Sequence, residues 1–508
     1  MQMIPLLSWD FITTGACHWS DGHERVPCDT PEGVQLRVEA AAKSAPMLVA
    51  DRPWELKSLA WAQVMEDGGL YRMWYGVSGS APGTEPRLCY AESDDGMSWR
   101  KPELGLIEMD GSAANNLVLH GPGANHFHVF KDPTSPPAAR YRCMMFKSWW
   151  EGAPGEVLDN DEGHRRLGVR NMAKPGEKVP PASLKGVMMG LNSPDGLKWT
   201  MIEKPILEEW HDTHNICAYD EALGKYRGYF RGFYGGRRAI SYAETNEFER
   251  WPPTHVIHHH VIEDAPGDQL YSNCYTRYPD VPRVHLLFPA LYHLADDTVD
   301  GQLAVSLDGL NWSRHTRRPI IPHGEPGQRD EGHVYPEPDL IRFRRDGKLR
   351  LPLRAGAKYH NQAYNWETYG KGEPNAFVGW AEWPEERLAG IHAGGDGHFT
   401  IPALTCGDRL LANFRTAPDG WVRFELVDRV VWPPMPVEGI QGCRFDDAQP
   451  LSGDETHAPV VWAGKRGLSE LQGKRVCLRV RLHKATLFAV TMYGAEDKVT
   501  REDPRYPV

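Results

Sequence analysis

Three heptapeptides of this chain share one pattern, S-x-D-G-x-x-W: Ser93 to Trp99, Ser193 to Trp199 and Ser306 to Trp312. A degraded fourth copy runs from Thr245 to Trp251. Repetition of this kind marks an array of similar supersecondary units. Each full copy follows a short apolar run, as in Leu88-Cys-Tyr-Ala91 or Val187-Met-Met-Gly190. The Ser-x-Asp-Gly that follows reads as a turn, because Asp hydrogen-bonds the backbone ahead of it and Gly takes positive φ. The Trp then opens the next strand and packs over the turn. Strand, turn and Trp-led strand form the outer hairpin of a propeller blade. The copies begin at 93, 193, 245 and 306, so the steps are 100, 52 and 61 residues. Blades of about 40 to 50 residues, some carrying insertions, fit these steps.

Walking back from each repeat gives the inner strands. The first blade is expected to open near Trp54-Glu55, the second at Asn125 to Phe130, the third at Asp212 to Asn215, the fourth at Leu270 to Asn273 and the fifth between Asp330 and Tyr335. Tyr or Leu alternating with polar residues supports strands over helices. The best helix-like stretch, Val38 to Lys43, is short. After about residue 392 the repeat stops at the Gly-rich run His392 to Gly397. Short strand-like runs follow, including Arg409 to Phe414, Trp421 to Val427 and Arg475 to Leu482. The expected fold is therefore all-β: a five-bladed β-propeller over residues 1–390, then a C-terminal β-sandwich over residues 391–508.

Composition narrows the function. The 508 residues carry a net charge of −11 with no basic tract, which argues against nucleic acid or an anionic membrane as partner. No apolar run reaches the length of about 18 residues needed to span a bilayer. Met1 to Ile12 lacks the charged region and long apolar run of a signal peptide, so a cytoplasmic location is expected. Nine cysteines without a C-x-x-C pair fit free thiols in a reducing compartment and argue against a structural zinc cluster. The 18 Trp and 19 Tyr exceed what blade cores need, and aromatic faces suit the C–H faces of sugar rings.

The order of parts resembles the five-bladed propeller glycoside hydrolases, the superfamily around families 32, 43 and 68. The pieces that carry the resemblance are Pro53-Trp-Glu55, Asp212-Thr-His-Asn215, Tyr219 to Tyr226, the repeated turns, and Gly407 to Asn413 with Gly473 to Arg479 in the C-terminal unit. The resemblance implies a carbohydrate substrate and, in family 32, a propeller joined to a β-sandwich. Two departures stand out. The W-M-N-D-P-N-G nucleophile motif of family 32 is missing from the first blade. Its R-D-P motif has a partial echo in Lys131-Asp-Pro133. The turns also resemble sialidase Asp boxes but have one residue fewer between Asp and Gly.

Hydrolysis of a glycosidic bond generally uses two carboxyl groups flanking it. The blade starts offer Asp212, Glu55, Glu337 and Asp330 as catalytic candidates. Asp212 leads, because it opens the third blade within His211-Asp-Thr-His-Asn215; an Asx-type turn cap is its competing role. Substrate-binding candidates are His126, His128, His214, Asn215, Asn273, Arg231, Tyr335 and Trp366. His126 and His128 have strand spacing and point to one side of their blade. With His214 and His333 they form an alternative site for a divalent cation near the axis. The leading reading requires no cofactor. It is an exo-acting glycosidase; the alternatives are a metal-dependent lyase or hydrolase and a non-catalytic carbohydrate-binding propeller.

Overall fold

The computed structural model describes residues 1–19, 25–56, 59–77, 85–121, 123–124, 126–151, 157–158, 183–361, 376–428, 438–463 and 468–494. It is built almost entirely of strands, in a propeller-like arrangement with a C-terminal sheet packed beside it. Among the described residues no helix is long and apolar enough to cross a membrane.

Antiparallel four-strand meanders form the first three blades. Leu59–Asp67, Leu70–Val77, Arg87–Ser93 and Leu117–His120 make the first. Phe127–Lys131, Tyr141–Glu151, Ser183–Ser193 and Thr200–Met201 make the second. Ile216–Asp220, Lys225–Tyr234, Arg237–Thr245 and His255–His258 make the third.

The expected fourth and fifth blades are not separate sheets. A parallel bridge between Val299 and His333 joins their strands into one nine-stranded sheet. By hydrogen bonding, four sheets rather than five therefore follow one another round the axis, the last carrying two meanders. The fourth meander is also broken across its width. Tyr275–Arg277, His285–Leu287 and Ala304–Ser306 form their own three-stranded sheet. The breaks fall at Cys274, held at φ 43°, and at Pro289, which has no N–H for a ladder.

Two further expectations are corrected. Trp54-Glu55 does not open the first inner strand: Pro53–Glu55 is a 3-10 turn, and the strand begins at Leu59. Val38 to Lys43 is not helical: Gln35–Val38 and Ala42–Lys43 are both strands. Ala42–Lys43 and Leu48–Val49 pair with Phe377–Pro384, so an N-terminal segment closes the ring.

The repeated turns explain how the blades lock together. In each copy the Ser Oγ accepts the Gly N–H, at 2.9 Å in Gly96 and 2.8 Å in Gly196 and Gly309. The Asp Oδ1 accepts the next two backbone N–H groups at 2.8–2.9 Å. Each Gly sits at φ between 73° and 77°. The glycine carbonyl then accepts from an aromatic side chain of the preceding blade: Gly96 from Trp380 Nε1 at 2.9 Å, Gly196 from Trp74 Nε1 at 2.7 Å and Gly309 from Tyr229 OH at 3.0 Å. Arg72 and Arg227 add bonds to the carbonyls of Asp195 and Asp308. These arginines follow Tyr71 and Tyr226 on second strands of blades, and Tyr141-Arg142 repeats the pair in the second blade.

The C-terminal sheet has the order Asp454–Pro459, Arg409–Asp428, Arg475–Tyr493, Ala389–Thr405 and Gln35–Val38, with Gln2–Pro5 also on Arg475–Tyr493. Its three long strands, of 17, 20 and 19 residues, change register between Ala393 and Asp396, between Thr416 and Trp421, and elsewhere. Such irregularities let long strands bend, and the bent sheet closes over Phe399, Phe414, Phe424, Val480 and Leu487 in the manner of a sandwich. Residue 390 falls inside Ala389–Thr405, and two N-terminal strands belong to this sheet.

The turn geometry yields a paired test. Gly196→Ala and Gly68→Ala both place an alanine at positive φ, 77° and 66°. Only at Gly196 does the new Cβ meet another side chain, the Trp74 indole at 2.8 Å. Thermal or denaturant unfolding is expected to show Gly196→Ala at least about 1 kcal/mol less stable than Gly68→Ala, the difference reporting the blade contact rather than the strain of about 1–2 kcal/mol they share.

Candidate functional site

The inner strands bring side chains from all five meanders together at the axis. Trp61 packs against His214, with ring centroids 5.3 Å apart, and edge-on to Tyr335 at 5.5 Å. His214 lies 6.1 Å from His128, and Tyr335 lies 5.7 Å from Tyr271. Arg354 sits over both Tyr335, at 4.2 Å, and Trp61, at 5.7 Å. The alternation of each strand sets this arrangement. On the first inner strand Trp61 and Gln63 face the axis, and Gln63 Nε2 donates to Asp339 Oδ2 at 3.0 Å across it.

Asp212 and Glu337 are the two carboxyl groups that the cluster holds in contrasting states. Asp212 Oδ1 accepts from Arg231 Nη1 at 2.6 Å, and its side chain keeps 26% exposure. Burial acts to raise its pKa, but the charges of Arg231, His126 and Arg238 outweigh burial and hold it at about 2. Arg231 is itself braced: Nη2 donates to the Tyr271 carbonyl at 2.9 Å, and the guanidinium lies 4.3 Å over the Tyr271 ring. Glu337 is fully buried, with Oε2 2.9 Å from His214 Nδ1 and no partner for Oε1. Burial pushes its pKa well above the ordinary carboxylate range, which favours the protonated form. Burial likewise holds His214 down to about 3, so the imidazole beside Glu337 is neutral. Deeper on the axis, burial raises Asp339 to about 6, in a backbone held at φ 77°.

The other candidates divide clearly. Glu55 is buried away from this cluster. Its oxygens accept from Tyr75 OH at 2.5 Å, Arg52 N at 2.8 Å and Lys101 Nζ at 2.9 Å, an arrangement that ties the 3-10 turn to the first blade. Asp330 is ion-paired with Lys43 at the closure of the ring. Asn215 and Asn273 brace backbone instead of facing a ligand. Asn215 donates to the His211 and Thr213 carbonyls and accepts from Arg231 N. Asn273 joins the His214 and Tyr229 carbonyls to Tyr275 N. His126 is half-buried beside Phe146 and close enough to Asp212 to lower its pKa. Trp366 lies outside the described residues.

The four imidazoles do not converge as one ligand set. His333 Nδ1 is 2.6 Å from the Lys358 carbonyl and Nε2 is 3.3 Å from Arg354 Nη1, so both ring nitrogens are engaged. His128 Nδ1 accepts from Cys217 N at 3.3 Å, and its Nε2 lies 3.3 Å from Gln63 Nε2. Cys89, Cys143, Cys217, Cys274, Cys406 and Cys477 are buried and form no disulfide.

Trp61, Gln63, Tyr271 and Asp339 were absent from the expected site. Placing the first blade start at Trp54 moved attention one element too early; the alternation Trp61, Gln63, Met65 is the signal that marks the true strand. A separate cavity of 490 Å³ enters the axis from the other end, where the inner strands finish, and is lined by residues that include Cys217, Tyr275, Arg277 and Arg342. His128 and Asp339 also line it, so they stand between the two ends of the axis.

No family model matches the chain. Uncharacterized proteins from two strains of Mycobacterium tuberculosis are 44% identical over 114 residues, 21% of this chain and 36% of theirs. The chain thus spans about a third of the length of the curated relatives it matches. Among solved structures, an N-acetylgalactosamine deacetylase from F. plautii in complex with blood group B trisaccharide is 14% identical with a TM-score of 0.43, covering 70% of this chain and 97% of that one. A Bombyx mori GH32 β-fructofuranosidase is 9% identical with a TM-score of 0.40, covering 89% of this chain and 94% of that one.

The Asp212–Arg231 pair fixes a pH response. Asp212 is depressed to about 2 in the folded chain, against an ordinary value near 3.9, so its contribution to stability is full above about pH 4 and is lost as pH falls through 2. Thermal unfolding of the native chain between pH 5 and 2 is expected to lose stability more steeply than that of Asp212→Asn.

Proposed function

We propose that this chain is a glycoside hydrolase that removes a terminal sugar, with Asp212 and Glu337 as its paired carboxyl groups. The observation that carries the proposal is the splitting of these two groups by their surroundings. Asp212 is held ionised by Arg231 and keeps partial exposure, and full burial favours the protonated form of Glu337. Two carboxyl groups with their pKa values driven apart are what acid–base hydrolysis of a glycoside requires.

Asp212, permanently ionised, attacks the anomeric carbon or takes a proton from water. Glu337 supplies the proton for the leaving oxygen. Trp61, Tyr271 and Tyr335 are buried supports of this end of the axis, with Arg231 over Tyr271 and Arg354 over Trp61 and Tyr335.

A screen of aryl glycosides and oligosaccharides tests the reading. Asp212→Asn is expected to lower kcat by at least about 10²-fold while substrate binding persists. Glu337→Gln, which replaces a protonated carboxyl by a neutral isostere, is expected to fold normally. It should lose activity on alkyl glycosides and keep much of it on dinitrophenyl glycosides, whose leaving group needs no proton. Full glycosidase activity in Asp212→Asn would overturn the assignment. Sugar binding without turnover of any substrate would favour a carbohydrate-binding propeller instead.

A further inference from the structure

A second cluster of buried ionisable groups lies far from the axis, where the fifth meander passes into the C-terminal sheet. Glu385 and Glu386 stand in the turn between Phe377–Pro384 and Ala389–Thr405, and His457 lies on Asp454–Pro459 of the C-terminal sheet. One potential ligand atom from each of the three lies within 4.8 Å of the others. Both glutamates are 2% exposed. Glu386 adopts φ 65°, a left-handed backbone that a non-glycine residue takes at some cost and that allows two consecutive carboxylates to share one space.

The partners of these groups leave donor atoms over. Arg342 Nη1 reaches Glu385 Oε2 at 3.1 Å, and Asn413 Nδ2 reaches Glu386 Oε2 at 3.5 Å. Glu385 Oε1 and Glu386 Oε1 have no hydrogen-bond partner although both are buried. Tyr278, from a different element, is 1% exposed, its hydroxyl too has no hydrogen-bond partner, and its pKa rises first through burial and then through the charge of Glu386 nearby. An unpartnered buried hydroxyl or carboxylate oxygen costs about 1–3 kcal/mol, and two such carboxylate oxygens stand here on consecutive residues. The charge is also unbalanced. Arg342 is the cation that touches both glutamates, and its Nε is drawn off toward Asp280 at 3.1 Å. Arg387, on the same turn, is taken by Asp454 at 2.5 Å. Burial accordingly pushes Glu385 up to about 7 and raises Glu386. His457 adds an imidazole from a different element, with a potential ligand atom within 4.8 Å of those of both glutamates. Thr456 Oγ1 lies 2.9 Å from His457 Nδ1, the kind of outer contact that orients a ligating ring.

We propose that Glu385, Glu386 and His457, with the Tyr278 hydroxyl as fourth donor, form a binding site for one divalent transition cation that ties the propeller to the C-terminal sheet. Two carboxylates and an imidazole suit zinc or manganese. Ligand distances of about 2.0–2.2 Å need only a small contraction of these side chains. The cation would satisfy both Oε1 atoms and the phenol oxygen and would balance the excess negative charge. The site is independent of the reaction at Asp212.

The test uses the full chain after dialysis against a chelator, titrated with Zn²⁺ and with Mn²⁺. One equivalent of one of these cations per chain should survive gel filtration, measured by elemental analysis, with a saturable rise in Tm. Glu386→Gln should lower affinity at least tenfold; Tyr278→Phe, which keeps the packing, should lower it less and serves as the second variant if Glu386→Gln does not fold. Failure of both cations to bind stoichiometrically would overturn the proposal. So would unchanged affinity in a folded Glu386→Gln or, where that variant does not fold, in Tyr278→Phe.

Discussion

The bond from an aromatic side chain to the carbonyl of a turn glycine is the contact on which the rest of the arrangement depends. Inside each S-x-D-G turn, the serine and aspartate oxygens satisfy the local N–H groups, which leaves the glycine carbonyl facing outward. A buried carbonyl without a donor is costly, by about 1–3 kcal/mol. Trp380, Trp74 and Tyr229 supply that donor from the blade before. Each turn thereby fixes both the distance and the rotation between neighbouring blades. The degraded copy at Thr245 to Trp251 turns its indole inward to the Phe248 carbonyl, and Arg142 of the preceding blade lies 5.0 Å over the Phe248 ring. The contact survives there as packing of a cation on an aromatic face.

Because the blades are locked at their turn ends, the starts of their inner strands are forced together at the other end. Polar groups driven into that space must find partners or change their charge. The axis shows both responses. Arg231 stays charged by facing Asp212, a carbonyl and an aromatic ring together. Burial instead favours the uncharged forms of Glu337, His128 and His214, and raises Asp339 to about 6. The contrast between Asp212 and Glu337 follows from depth: one carboxylate reaches an arginine and some solvent, the other reaches an imidazole and none.

The two ends of the chain cross between units. Gln2–Pro5 and Gln35–Val38 belong to the C-terminal sheet, and Ala42–Lys43 and Leu48–Val49 close the propeller-like ring. One hydrophobic core runs through both, from Leu351 and Leu353 to Val480 and Leu487. The buried acidic group at Glu385 and Glu386 sits on this seam, where neither unit alone supplies enough positive charge to balance it.

The spacing and composition of the repeats determined the all-β class, the turn chemistry and three of the five inner strands, because a glycine at positive φ and an aspartate that caps backbone are local requirements. Asp212 was expected to open the third blade, but it lies in the segment ahead of that blade's first strand, which begins at Ile216. What sequence could not fix was which buried groups meet. Glu55 and Glu337 looked alike beside their aromatic and proline neighbours, yet Glu55 is taken by Lys101 and Tyr75 within one blade, and Glu337 faces His214 across the axis. Asn215 and Asn273 likewise proved to serve backbone carbonyls from distant strands. The merging of the last two meanders, the N-terminal closure and the charge states at the axis all depend on contacts between residues far apart in sequence. Only the folded chain decides them, because burial and the nearest charge, not residue type, set what a carboxyl or imidazole does.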